Sequence, residues 1–164
     1  MIRNVHERPL AASADAVGAL VDSLSSRDDR LWPVSDWPRL RLDRPLGVGA
    51  DGGHGPVRYA VASYDPGRAV GFRFNRPAGF RGGHRFSVEP TGDATCVLRH
   101  ELEMTVHGAA RLTWPLFYRP LHDALLEEAF DRASAATGSA YAPARRSWWV
   151  RLLRAPWGRR KRRR

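Results

Sequence analysis

His84-Arg85-Phe86-Ser87-Val88-Glu89 and, after Pro90-Thr91-Gly92-Asp93, the run Ala94-Thr95-Cys96-Val97-Leu98-Arg99-His100-Glu101-Leu102-Glu103-Met104-Thr105-Val106 decide how this chain folds. In both runs every second residue is apolar or histidine, and most residues between are polar or charged. A period of two sends successive side chains to opposite faces of a strand. Pro90 to Asp93 are turn residues. A connection that short makes the two strands antiparallel neighbours. One face of the pair is then apolar and must be covered, while the other is solvated.

The same period runs upstream. Val57, Tyr59 and Val61 alternate with polar or small residues, as do Val70, Phe72 and Phe74, and turn residues at 64–67 and 76–79 separate the runs. Residues 40–46 and 2–8 are further strand candidates. Two segments instead carry a helical period. Val17, Leu20, Val21 and Leu24 follow Ser13, a suitable N-cap, and Asp15, which suits a first turn; this helix is expected to end near Ser26. The segment 27–38 holds Leu31-Trp32-Pro33 and Trp37-Pro38, a broken turn that packs two indoles. The longest helix is expected over 113–138, with Thr113 as cap, Pro115 in the first turn and Gly138 as the stop. Its stripe includes Phe117, Leu121, Leu125, Leu126, Ala129, Phe130 and Ala133. The expectation is an α+β fold in which a curved antiparallel sheet of about six or seven strands wraps around the long C-terminal helix.

Composition sets the outer bounds. A chain of 164 residues that is 43% apolar supports one packed domain. No run of 18 apolar residues is present, and the amino terminus lacks the apolar segment of a secretory signal, so the expected location is cytoplasmic. The single cysteine, Cys96, excludes an internal disulfide framework and lies on the inward strand phase, where it reads as core. The net charge of +10 is not spread evenly. Ten of the 27 basic residues follow Ser139, while all 17 acidic residues precede it. The chain therefore divides into a neutral domain, residues 1–138, and a polycationic tail, residues 139–164.

The element order, the start Glu7-Arg8-Pro9-Leu10-Ala11-Ala12 and the closing helix from Trp114-Pro115 to Ala136 resemble the START-like or SRPBCC superfamily. That superfamily has the helix-grip fold and includes polyketide cyclases, plant pollen-allergen proteins and lipid-transfer domains. Asp29-Arg30-Leu31-Trp32-Pro33, Gly52-Gly53-His54-Gly55-Pro56 and Leu121-His122-Asp123-Ala124-Leu125 look like phrases of its bacterial members. The resemblance implies an apolar or amphipathic small molecule bound in a central cavity. It implies no particular chemistry, because the superfamily has no universal catalytic signature. The basic tail departs from its usual pattern.

Gly47-Val48-Gly49-Ala50-Asp51-Gly52 has the spacing of a dinucleotide loop. That loop must open a helix whose amino terminus faces the pyrophosphate, and here a strand follows. The histidines carry more information. His84 and His100 fall on the inward strand phase, His54 lies in the glycine-rich segment, and His122 lies on the closing helix. Imidazoles facing an apolar interior are either polar anchors for a ligand or ordinary buried histidines satisfied by neighbours. Candidate ligand-binding residues are His54, Tyr59, Phe72, Phe74, His84, Phe86, His100, Trp114 and His122. A zinc site built from His84, His100 and His122 is conceivable only if the three converge, and the spacing does not demand it. The reading therefore includes no metal and no cofactor. Glu101 and Glu103 share the outward face, which offers no cleft for a catalytic pair.

In the tail, 142–144 read as a hinge and 145–154 as a helix ended by Pro156. At 100° per residue Trp148, Trp149, Leu152 and Leu153 share one arc, opposite Ser147, Arg151 and Arg154. An apolar arc, a basic arc and the basic run from Arg159 form an interfacial helix expected to attach peripherally to an anionic membrane at the inner face. Nucleic acid is the rival partner, and a solubilising tail the plain alternative. The first functional reading is binding or transfer of a hydrophobic small molecule or lipid. The alternative is a cyclase or dehydratase type of enzyme with a cavity histidine as acid and base.

Overall fold

The computed structural model describes residues 1–161, with side chains through Ala155. The strands are β1 (Ile2–Leu10), β2 (Arg41–Leu42), β3 (Asp51–His54), β4 (Val57–Asp65), β5 (Ala69–Arg76), β6 (Phe80–Gly92) and β7 (Thr95–Val106). They form one antiparallel sheet in the order β1-β7-β6-β5-β4-β3-β2. The first strand closes one edge because it pairs with the last, His6 opposite His100. Helix α1 (Ala14–Asp22) follows β1, capped by the Ser13 hydroxyl on the Ala16 N–H. Helices α2 (Ala110–Thr113) and α3 (Arg119–Ala136) flank a π-helical turn at Trp114–Tyr118. Helix α4 (Trp148–Lys161) belongs to the tail. This is the helix-grip architecture: the sheet curls around α3, and no described helix is long and apolar enough to cross a membrane.

Strand phase holds through the centre of the sheet. Tyr59, Val61, Val70, Phe72, Phe86, Val88, Cys96, Leu98, His100, Leu102 and Met104 are all buried. From Tyr59 to Leu98 they pack with Leu125, Leu126, Ala129, Phe130 and Ala133 of α3 and with Val17, Leu20 and Val21 of α1, while Leu102 and Met104 pack with Phe80, Ala110 and Trp114. Gly138 ends the closing helix with φ +67°, and the Ser139 N–H returns to the Ser134 carbonyl. That is the expected left-handed stop. Trp32 and Trp37 are buried, and their turn is held by the Asp29 carboxylate, which accepts from the Ser25, Leu31 and Trp32 N–H groups.

Several boundaries move. The strand expected over 40–46 shrinks to Arg41–Leu42, because Pro45 cannot donate to a ladder. The first helix stops at Asp22 instead of near Ser26, and Leu24 reaches the core from the following turn. The glycine-rich stretch expected as a loop enters the sheet as β3, so His54 stands on a strand. A Cβ at Gly52 would lie 1.9 Å from the Arg41 carbonyl oxygen, so the glycine there serves close strand approach and not phosphate binding. Thr113 is not a cap, since helix already runs from Ala110. The π turn then shifts the phase of the stripe: Trp114 is buried, while Phe117 is half-exposed and still lines the cavity. Pro156 does not end the tail helix, which continues to Lys161. A missing N–H removes one bond without forcing the backbone to stop.

Candidate functional site

Between the concave sheet and α3 lies a cavity of about 360 Å³. This falls within the range of small-molecule sites. Trp32, Trp37 and Pro38 form one wall, Phe74, Phe80, Phe86 and Leu102 the sheet side, and Trp114, Tyr118, Leu121, Leu125 and Leu126 the helix side. His54, His84, His100 and His122 supply its imidazoles, Thr113 a hydroxyl, and Leu153 of α4 reaches the lining from the tail. Among the described residues, no Asp, Glu, Lys or Arg lines it.

Of the nine candidates, His54, Phe74, His84, Phe86, His100, Trp114 and His122 meet at this one surface. Tyr59 and Phe72 stand just behind it. Phe72 stacks on the His84 ring with centroids 4.9 Å apart, and the Tyr59 hydroxyl lies 3.0 Å from His54 Nδ1. The support is what holds each imidazole in place. His84 Nδ1 and His100 Nε2 are 3.0 Å apart, one donating its proton to the other. The His100 and His122 rings lie 5.1 Å apart. His100 Nδ1 and His122 Nε2 are buried with no hydrogen-bond partner among the described residues.

Burial keeps these rings neutral. Desolvation pushes His54 down to about 3. It lowers His84 and His100 well below the ordinary histidine value, helped by the neighbouring imidazoles. His122 is lowered by the same cause, opposed by the hydrogen bond to Asp123. His6 behaves differently. Although burial opposes it, hydrogen bonds to Asp123 and Glu127 raise its pKa. The sequence singled out neither His6 nor Asp123. The signal was present: His6 continues the inward phase of β1 and Asp123 adjoins His122, but only the β1–α3 packing brings them together.

The tail rests on the domain. Arg146 donates to Glu128 at 2.6 Å and pairs with Asp36 at 3.0 Å. Arg154 lies over the Trp37 ring at 4.4 Å, the Trp149 indole N–H donates to the Leu116 carbonyl at 2.8 Å, and Val150 is buried. This corrects the expected arcs. Val150, Leu153 and Arg154 turn toward the body, whereas Trp148, Arg151 and Leu152 are exposed. A helix docked on a domain is phased by that contact and not by its own apolar arc. The side chains of the basic run from Arg159 lie outside the described residues.

No family model matches the sequence, and no curated protein matches it. Solved structures do match in fold. A protein of Thermobifida fusca solved by NMR aligns with TM-score 0.68 at 17% identity, over 88% of this chain and 100% of that one. Norcoclaurine synthase from Thalictrum flavum in complex with dopamine and hydroxybenzaldehyde aligns with TM-score 0.61 at 21% identity, over 86% and 90%. The XoxI protein of Bacillus cereus aligns with TM-score 0.60 at 12% identity, over 84% and 96%. These likenesses show the helix-grip fold.

Proposed function

We propose that the chain binds a neutral, hydrophobic small molecule or lipid between the sheet and α3. The observation that carries this reading is a cavity of about 360 Å³ whose lining is aromatic and aliphatic, interrupted by imidazoles and free of ionised side chains among the described residues. An anionic ligand would lose its hydration there without gaining a counter-ion. A ligand hydroxyl or carbonyl would instead meet the neutral imidazoles of the lining, among which His100 Nδ1 and His122 Nε2 are buried without a partner among the described residues. The test is fluorescence titration with the neutral probe N-phenyl-1-naphthylamine, set against its sulfonated analogue 1-anilinonaphthalene-8-sulfonate. Saturable one-to-one binding of the neutral probe, with weaker binding of the anion, is expected. No saturable binding of the neutral probe defeats the reading.

The tail would bring this cavity to an anionic membrane. Trp149 packs near Phe117 and donates to the Leu116 carbonyl, Trp148 packs on Trp149, and Trp148, Leu152, Leu116 and Phe117 are exposed, with Phe117 and Leu153 also lining the cavity. Apolar insertion together with basic charge supplies the two signals that peripheral attachment requires. The full-length protein is expected to pellet with phosphatidylserine-containing vesicles and a form truncated after Gly138 to remain in solution. Equal pelleting of both forms removes the membrane role, and salt-sensitive retention on DNA by the tail alone points to nucleic acid instead.

A second reading rests on the same two imidazole nitrogens. A neutral histidine in a water-poor cavity is equipped to take a proton from a bound substrate, as a cyclase or dehydratase requires. Loss of turnover in His100→Ala with retained probe binding would favour that reading.

A further inference from the structure

We propose that His6 Nε2, His122 Nδ1 and Asp123 Oδ1 bind a zinc-type divalent cation in the seam between β1 and α3. These three donor atoms lie within 4.8 Å of one another. Asp123 Oδ1 stands 3.2 Å from His6 Nε2, 3.3 Å from His122 Nδ1 and 3.1 Å from Asn4 Nδ2. One carboxylate oxygen thus faces three nitrogen atoms at 3.1–3.3 Å, while Oδ2 pairs with Arg119 at 3.7 Å. As metal ligands, the two separations from Asp123 Oδ1, 3.2 and 3.3 Å, fit. Atoms about 2.0–2.1 Å from a tetrahedral zinc stand roughly 3.3 Å apart.

The surroundings match a metal site as well. His6 Nδ1 lies 2.7 Å from Glu127 Oε1, and Arg8 holds Glu127 at 2.9 Å. A histidine ligand ordinarily donates its second N–H to such a carboxylate, which fixes the tautomer and the ring. Asn4 Oδ1 is buried without a partner among the described residues, so a turned-over Asn4 amide or a water would complete four ligands. Two imidazoles and one carboxylate suit zinc and its neighbours, whereas magnesium and calcium prefer oxygen throughout. The His84, His100 and His122 combination is not the one with donors in mutual reach. The cation would tie the amino-terminal strand to the closing helix. It would also place the His122 proton on Nε2 and make that cavity atom a donor; this consequence rests on the cavity reading, whereas the site itself does not.

The test uses full-length protein, treated with chelator, dialysed and titrated calorimetrically with zinc chloride. One equivalent of zinc and a higher melting temperature are expected. His6→Gln and Asp123→Asn should each weaken binding at least tenfold, and Glu127→Gln about 10- to 100-fold. His107→Gln, which changes an exposed histidine, should leave affinity unchanged. Cobalt(II) should give a tetrahedral visible spectrum that the His6 and Asp123 variants lose. Near-UV circular dichroism checks that the variants fold, and Glu127→Gln decides the matter if either ligand variant does not. Absence of stoichiometric zinc, or affinity indifferent to His6, Asp123 and Glu127, overturns the proposal. Probe binding by the zinc-free protein, measured beside it, shows whether the cavity reading stands on its own.

Discussion

Acidifying the chelator-treated protein from pH 7 to pH 5 is expected to lower its unfolding free energy, by about 2 kcal/mol through His54 alone, against a normal domain's stability of about 5–15 kcal/mol. His54, His84 and His100 are held neutral by burial. In the unfolded chain they take up protons near pH 6.5, while in the fold they do not. Stability from such groups is complete above the unfolded value and is lost as pH falls below it toward the folded value, which for His54 is about 3. At pH 5 His54 costs about 2 kcal/mol, and His84 and His100, lowered in the same direction, add to that loss. His6 acts in the opposite sense. Its raised pKa adds stability below the unfolded value, which offsets part of that loss. The charged or titratable groups that bear on these rings are Arg58 and His122 for His54, His54 and His122 for His84, and His6, His84 and His122 for His100. Urea unfolding at pH 7, 6 and 5 and constant ionic strength measures the slope. A flat profile means that the imidazoles are hydrated and that the cavity floor is not the dry surface described above.

Filling the cavity should abolish probe binding without unfolding the protein. Leu121 lines the helix side of the cavity and is only partly buried, so a larger side chain there has room to enter the hollow. Leu121→Trp is expected to weaken N-phenyl-1-naphthylamine at least tenfold, which corresponds to about 1.4 kcal/mol. Overpacking of a filled core costs about 1–3 kcal/mol, whereas a side chain that occupies empty space costs less. An unfolding midpoint close to that of the parent, together with lost binding, assigns the probe to this cavity. Unchanged affinity assigns it elsewhere, with the exposed ground around Trp148 and Phe117 as the next place to test.

Much of the site was legible because a strand states its own facing. A period of two along β6 and β7 is enough to place His84 and His100 on the apolar side, since alternation follows from backbone geometry alone. The helix was harder to read. The π turn at Trp114–Tyr118 inserts a fraction of a turn and leaves Phe117 half-exposed, and a sequence window at 100° per residue carries no sign of it. The tail misled for a related reason. Its arcs describe an isolated helix, whereas Arg146 on Glu128 and Arg154 on Trp37 fix a different rotation.

The amino-acid sequence by itself determined the layers: an antiparallel sheet with one apolar face, a helix to cover it, and a neutral body followed by a basic extension. Side-chain periodicity and the separation of charge along the chain are local properties, so they survive without coordinates. Only the tertiary structure decided which histidines have company. The seam of His6, His122 and Asp123 joins residues at opposite ends of the domain, and the neutrality of His54, His84 and His100 depends on how much water the closed sheet excludes. Both are consequences of distance and dielectric in three dimensions, which spacing along a chain does not encode.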